Sequence, residues 1–291
     1  MQHAPISDGV MEEEMKPRIT FRKLALIVAL ASVGVAVFLA VTTTARGNTN
    51  SVVVLSHGQS VELALVLDPF GLSDISTSAG NAVRMAEQLT PSIDGFHVQV
   101  VNYGAPCFSD DNVAANAAVA SAVVSDPHTV AVIGHLCSVA FSGLPDPDAL
   151  PCESPSFPNA LSIYESAGVP TISGSATGDC LPSVGPSMFN RTAIADPNFD
   201  SWYSQVTALP SDVRWRAMYA HEFGSPPSDF ADLYFDATRI LLSRIAQVAH
   251  VQHGNLVIDR AVLAATIRAT TGFSGVTGSI TIDPATGNRL P

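Results

Sequence analysis

Charge is scarce in this chain. Of its 291 residues only 14% are Asp, Glu, Lys or Arg, against 47% apolar, a balance that excludes wholesale disorder. Positive charge is scarcest. Lys16, Arg18, Arg22 and Lys23 cancel the four acids of residues 1–23, and residues 24–291 hold 22 acids against 10 bases and carry the whole formal charge of −12. That sign excludes nucleic acid and an anionic lipid surface as electrostatic partners. Cysteine is limited to Cys107, Cys137, Cys152 and Cys180, none in the close spacing of a zinc motif. The chain has no G-x-S-x-G, Walker A, G-x-G-x-x-G or H-E-x-x-H pattern. Gly272-Phe273-Ser274-Gly275 only approaches a nucleophile elbow in spelling, because it follows a helix and not a strand. A hydrolase built on Ser138 therefore lacks its turn, and the chain reads as a non-enzyme without cofactor or metal. His250 and His253, three apart at an expected helix end, fit solvation of terminal carbonyls better than a shared metal.

What the chain does have is one long apolar run. Leu24–Val41 is 18 residues without a charge, reaching roughly 27 Å as a helix, close to the hydrocarbon thickness of a bilayer. The four bases before it predict a cytoplasmic tail over 1–23 and export of the remainder. A signal peptide cut near Thr43-Thr44-Ala45 is one outcome, giving a secreted protein. An uncleaved transmembrane anchor over 24–45 is the other, favoured by the length of the run and of the tail. Either way the rest is extracytoplasmic, at the cell surface or in a periplasm, where an even cysteine count favours disulfides, with three pairings possible.

Residues 46–60 read as a linker with a short apolar patch. From residue 61 strand and helix patterns alternate. Strands are expected at Val61–Leu67, Phe96–Asn102, Thr129–Gly134, Val169–Ser173 and Met188–Thr192. Helices are expected from Ser76 or Thr77 to Leu89, from Asp110 or Asp111 to Val124, and over Asn159–Ala167, with Val139–Pro158 an insertion between them. Between Ala193 and Pro210 the pattern fails. Helices then follow over Ser211–Phe223, from Ser228 or Asp229 to about Val251, and over Asp259–Thr270, with a last strand at Gly278–Asp283. Such alternation predicts a doubly wound, mostly parallel α/β sheet over 61–291.

In such sheets ligands lie beyond the carboxyl ends of strands. The run TVAVIGHLCS (Thr129–Ser138) ends at Gly134 and hands over to His135, Leu136, Cys137 and Ser138. Ser175-Ala176-Thr177 likewise follows a strand. Together these loops make a polar nook suited to a carboxylate, or else their hydroxyls simply cap helices. Asn190-Arg191-Thr192 spells a glycosylation sequon.

These same residues carry a resemblance. VAVIGHLCS, YESAGVPTISGSAT and FNRT, then YFDATRILLSRIAQVA and GFSGVTGSITIDPATGNRL, together resemble the branched-chain amino-acid-binding proteins, the periplasmic type I solute-binding components of ABC importers. The resemblance covers roughly 61–200 and 205–290. It implies a type I periplasmic-binding fold and a ligand of the leucine, isoleucine or valine class or a related small molecule, with an ABC permease as partner. It assigns the carboxylate to Ser138, carboxylate and ammonium contacts to Ser175 and Thr177, and an aromatic wall to Phe230 or Tyr234. It implies a Cys107–Cys137 disulfide, leaving Cys152 with Cys180. Gly174 departs from it, since proline is usual there. The family has two lobes, yet here Phe189-Asn190-Arg191-Thr192 is followed only 14 residues later by Val206-Thr207. Residues 193–210 are thus expected to replace the second lobe and leave a single one, which as a monomer binds amino acids weakly or not at all. A sensory or interaction module, pairing as a homodimer through the exposed lobe, is the alternative.

Overall fold

A parallel sheet buried on both faces needs strands that are apolar at nearly every position, and VELALVL and TVAVIG, each with one polar residue, come close to that demand. The computed structural model describes residues 51–109, 111–143 and 158–291, all within one compact unit, Gly47–Pro291. The expected tail and anchor, Asp110, Cys152 and most of the expected insertion lie outside the described residues. Among the described residues no helix is long and apolar enough to cross a membrane.

In chain order the elements are β1 (Val52–Leu55), β2 (Val61–Leu67), α1 (Ser73–Leu89), β3 (Ser92–Ile93), β4 (Phe96–Gly104), α2 (Asn112–Ser125), β5 (Thr129–Gly134), α3 (Ser138–Ser142), α4 (Ala160–Ala167), β6 (Thr171–Ser173), α5 (Leu181–Val184), β7 (Phe189–Arg191), α6 (Phe199–Val206), α7 (Pro210–Phe223), α8 (Ala231–Val248), β8 (His250–Gln252), β9 (Asn255–Asp259), α9 (Arg260–Arg268), β10 (Phe273–Gly275) and β11 (Gly278–Ile280). The main sheet has the order β3-β4-β2-β5-β6-β7. All its pairings are parallel except the β3–β4 hairpin. The chain runs outward from β2 to β4 and then returns past β2 to β5, so strand order reverses between β2 and β5.

Leu63, Leu65 and Ile133 pack beneath α1 and α8, against Val83, Ile240 and Leu241. Ala64, Val66 and Val132 face α2 and α4, against Val123, Leu161 and Tyr164. The two faces are thus filled by alternate residues of the same strands. A small antiparallel sheet, β1-β9-β8, extends the first core through Val53, Leu55, Leu256 and Ile258.

Several boundaries differ from expectation. The stretch read as a linker contains β1, which pairs with β9 some 200 residues later in the chain, from Val52↔Asp259 to Leu55↔Leu256. Helix α1 begins at Ser73, so Ser76 sits within its first turn, where its Oγ donates to Asp68 O at 2.5 Å. Asp111 precedes α2 without a side-chain capping bond. Residues 193–210, where periodicity fails, contain α6. Helix α8 starts at Ala231 after Phe230, not after Ser228 or Asp229. It stops at Val248 because the chain turns into a hairpin at His253-Gly254, both at positive φ. His250 and His253 belong to that hairpin and not to a helix end, and among the described residues no group of three ligating side chains could hold a metal ion. Asn190 is fully buried in β7, and its Nδ2 donates to Thr171 O and Met188 O, so the sequon is not a surface acceptor.

Gly134, at the end of β5, has φ +127, and a Cβ there would meet Val66 O at 2.3 Å. Gly134→Ala is therefore expected to cost about 2–4 kcal/mol, from backbone strain and overpacking together. Urea unfolding followed by circular dichroism measures it, and a loss below 1 kcal/mol would contradict the close approach of β2 and β5.

Candidate functional site

The loops beyond the carboxyl ends of the strands are tied to one another before any ligand is considered. Asp68, buried at the end of β2, accepts from Phe70 N at 2.8 Å and Gly71 N at 3.0 Å through Oδ1, and from Cys107 N at 3.0 Å through Oδ2. One carboxylate thus shapes its own turn and holds the loop after β4. A Cys107–Cys137 disulfide joins that loop to the one after β5. Cys180 is also disulfide-bonded; Cys152, expected as its partner, lies outside the described residues. Ser173 at the end of β6 donates through Oγ to His135 O at 2.8 Å and accepts from Ser175 N and Ala176 N.

At the strand-order reversal these loops line an open cavity of about 260 Å³. Leu72 and Ile75 line it from the start of α1, Phe108 from the loop after β4, Leu136–Val139 from the loop after β5, Ser175 and Thr177 from the loop after β6, and Asp196 and Phe230 from further along the chain. Its volume is just under the usual range for ligand cavities, about 300–1,000 Å³, so it suits a small molecule. Larger spaces exist: a shallow 630 Å³ groove between α2 and α4, a 510 Å³ groove between α1 and α7, and a 290 Å³ cleft above β2 and β4. None lies at the reversal of strand order, where open α/β sheets place ligands.

Of the five side chains expected to contact ligand, Ser138, Ser175, Thr177 and Phe230 line this cavity, and Tyr234 does not. Tyr234 is wholly buried below it, and burial pushes its phenol up to about 12. Its hydroxyl pairs with Ser175 Oγ at 2.9 Å. Ser175 Oγ donates to Leu136 O at 2.7 Å, so its proton is already committed and Tyr234 is the donor of their pair. Ser138 differs. Its Oγ accepts from Gly178 N at 3.1 Å, and among the described residues its own proton has no acceptor, so it can meet a ligand. The Thr177 hydroxyl makes no hydrogen bond among the described residues. Gly174 has a packing reason, for a Cβ there would meet the Tyr234 ring at 2.6 Å. The proline usual at this position would crowd the ring that holds Ser175.

Phe230 takes φ +68, a left-handed backbone that costs a non-glycine residue about 1–3 kcal/mol. Its N–H donates to Tyr203 Oη at 2.7 Å, and its ring stacks on Phe199 at 5.4 Å and Tyr203 at 5.7 Å. Helix α6 is therefore what holds the aromatic wall in place. Sequence reading missed this support. It also missed Asp196, which lies in the stretch without periodicity; its only local signal is a lone acid in an Asp-Pro pair.

His135, beside Ser138 in sequence, faces away from the cavity. Asn116 donates both amide hydrogens to Pro106 O and Asn112 O, so its Oδ1 accepts from His135 Nδ1 at 2.5 Å. Nε2 then accepts from Tyr164 Oη at 3.0 Å. The ring stacks on Phe141 at 4.7 Å, and burial drives the imidazole pKa down to about 3. It is a neutral core group with a fixed tautomer.

The fold matches solved structures of solute-binding proteins. A leucine-binding protein from Thermotoga maritima superposes with a TM-score of 0.59 at 14% identity, covering 79% of this chain and 93% of its own. A branched-chain amino acid transporter substrate-binding protein from Streptococcus pneumoniae, in complex with isoleucine, gives 0.58 at 14%, covering 79% and 94%. A solute-binding protein of an ABC transporter from Rhodopseudomonas palustris BisB5, in complex with 3,4-dihydroxybenzoic acid, gives 0.58 at 12%, covering 79% and 91%. At these identities the likeness establishes a shared type I periplasmic binding fold. No protein-family model matches the chain, and no curated protein does.

Proposed function

We propose that this protein is an extracytoplasmic solute-binding component of an ABC importer, or a derivative of one, held at the membrane through residues 24–41. In this reading the cavity takes a small amino acid of the leucine, isoleucine or valine class, and a permease is the partner. One observation carries it: Ser138, Ser175, Thr177 and Phe230, drawn from three separate stretches of chain, line one cavity at the strand-order reversal. Similar structures bind isoleucine in one case and an aromatic acid in another, which supports small-solute binding and leaves the solute class to this reading.

The same reading makes the protein a single lobe. It is supported by the one six-stranded sheet among the described residues and by the way residues 193–210 fold against α8 through Phe199 and Tyr203. A cavity without a facing lobe keeps its polar contacts in water, where they are weak. Calorimetry on the full-length protein is expected to give leucine a Kd of about 1 mM, or roughly −4 kcal/mol. Ser138→Ala should weaken it several-fold, as loss of one hydroxyl donor costs about 1 kcal/mol. Absence of binding by leucine, isoleucine and valine alike would overturn the function. Micromolar binding by a monomer would overturn the single-lobe reading alone.

A further inference from the structure

A helix that covers a sheet is normally apolar along the seam between them. Helix α1 keeps that rule where Ala79 and Val83 meet the core and breaks it beside the end of β4. There Ser73, Thr77, Gly80, Asn81 and Arg84 recur at helical spacing and line the 290 Å³ cleft. Strand β4 changes in step. On the face toward α1 it presents Val98 and Val100 to the core, and then Asn102 and Gly104 to the cleft.

The groups lining this cleft are mostly donors without acceptors. Arg84 makes no salt bridge among the described residues, and its one hydrogen bond runs from Nη1 to Asn81 Oδ1 at 3.3 Å. Asn81 Nδ2 donates in turn to Tyr219 Oη at 3.2 Å, a hydroxyl that also pairs with Ser78 Oγ at 3.0 Å in the buried contact of α1 with α7. The guanidinium is therefore oriented from the core. The side chains of Ser73, Thr77 and Asn102 make no hydrogen bond among the described residues. The backbone adds to them. Val98 N donates to Pro91 O and Val100 N to Glu87 Oε1, both away from β2. By the period of two, Asn102 N and Gly104 N face the same side, which is open because β3 pairs only with Phe96 and His97. No acid lines the cleft, and Glu87 is turned to the strand.

We infer that this cleft is a second ligand site, for a small molecule bearing a phosphoryl group. It shares no lining residue with the strand-end cavity, and it does not rest on the proposed function. The guanidinium fork of Arg84 matches two phosphoryl oxygens, and the Asn102 amide, the Thr77 hydroxyl and the edge N–H groups supply donors for the third. A carboxylate, with two oxygens, would use fewer of them. A volume of 290 Å³ suits a phosphoryl group on a body of a few carbon atoms.

Calorimetric titration of the full-length protein with glycerol 2-phosphate, inorganic phosphate and acetate, at fixed ionic strength, tests it in the wild type and in Arg84→Gln, Arg84→Lys and Asn102→Leu. Arg84 and Asn102 are exposed, so these variants should fold. The wild type is expected to bind both phosphates with a Kd of about 1 mM and acetate at least tenfold more weakly. Arg84→Gln should weaken phosphate binding about tenfold, and Arg84→Lys by less, since it keeps the charge and loses the fork. Asn102→Leu fills the cleft without touching the charge and should weaken it as Arg84→Gln does. Phosphate binding unchanged in Arg84→Gln or in Asn102→Leu would mean an adventitious ion only and would overturn the inference. So would acetate binding as tight as that of phosphate, or no phosphate binding by the wild type.

Discussion

Arg216→Leu is expected to destabilise the protein by about 3–5 kcal/mol, the range for removing one member of a buried charge network. Arg216 Nε lies 2.6 Å from Asp212 Oδ2 and Nη2 lies 2.7 Å from Asp232 Oδ2. Both carboxylates are fully buried, and the arginine is mostly covered. Tyr203 Oη donates to Asp232 Oδ1 at 3.1 Å and accepts from Arg216 Nη2 at 3.2 Å. The network thus ties α6, α7 and α8 together and, through the Tyr203 bond to Phe230 N, reaches the cavity wall. One cation serves two acids, and burial together with the Asp232 charge holds the Asp212 carboxyl well above its ordinary range. Without Arg216 both acids stay buried with no ion-paired cation among the described residues. The triple change Asp212→Asn, Arg216→Leu, Asp232→Asn should recover most of the loss, because it removes the charges together. Urea unfolding at pH 7 measures both. A single-variant loss below 1 kcal/mol, or a triple variant no better than the single, would show that the network does not act as one unit.

Acid should weaken the fold through His135. In the folded state its pKa is about 3, against about 6.5 when exposed, so between those values the unfolded chain binds a proton that the folded chain refuses. Stability from this group is fully present above pH 6.5 and is lost as pH falls toward 3. At about 1.4 kcal/mol per pH unit the loss reaches up to about 5 kcal/mol. Asp212 works in the opposite sense. Its folded pKa is raised, so its contribution is present at low pH and is lost as pH rises from the ordinary carboxylate value toward its elevated one. Over the overlap the two slopes oppose each other, and the wild-type profile should be shallow there. Asp212→Asn removes one slope and should expose the steep acid limb of His135. His135→Gln, which can keep a bond to Asn116 or Tyr164, should flatten that limb even if it lowers stability throughout. Denaturation midpoints between pH 4 and 8 read this out. An Asp212→Asn profile as shallow as the wild type would refute the assignment to His135.

Elements held by local signals were legible in the chain. Strand β2 lies at its expected bounds because VELALVL is apolar at all but one position. Asn159 forms a capping box with Ser162, and Asp259 accepts from Ala261 N and Val262 N. Each cap is an interaction within three residues, so sequence carries it whole. The missed elements owe their form to distant partners. Helix α6 has only eight residues, too short for periodicity to register, and is held by Phe230 and Asp232. Strand β1 looks like an apolar patch in a spacer until β9 arrives to pair with it.

What the sequence determined by itself is the layered α/β scheme, since alternating strand and helix patterns with largely apolar strands admit little else. It also picked out both loops that line the cavity, because each follows a readable strand. Tertiary structure decided which groups in those loops are free to act. Hydrogen-bond commitment depends on neighbours far apart in the chain: Leu136 and Tyr234 use up Ser175, Gly178 leaves the Ser138 proton free, and folding brings Asp196 to the same wall. No spacing rule encodes that, for a hydroxyl's partner is set by packing and not by its place in the sequence.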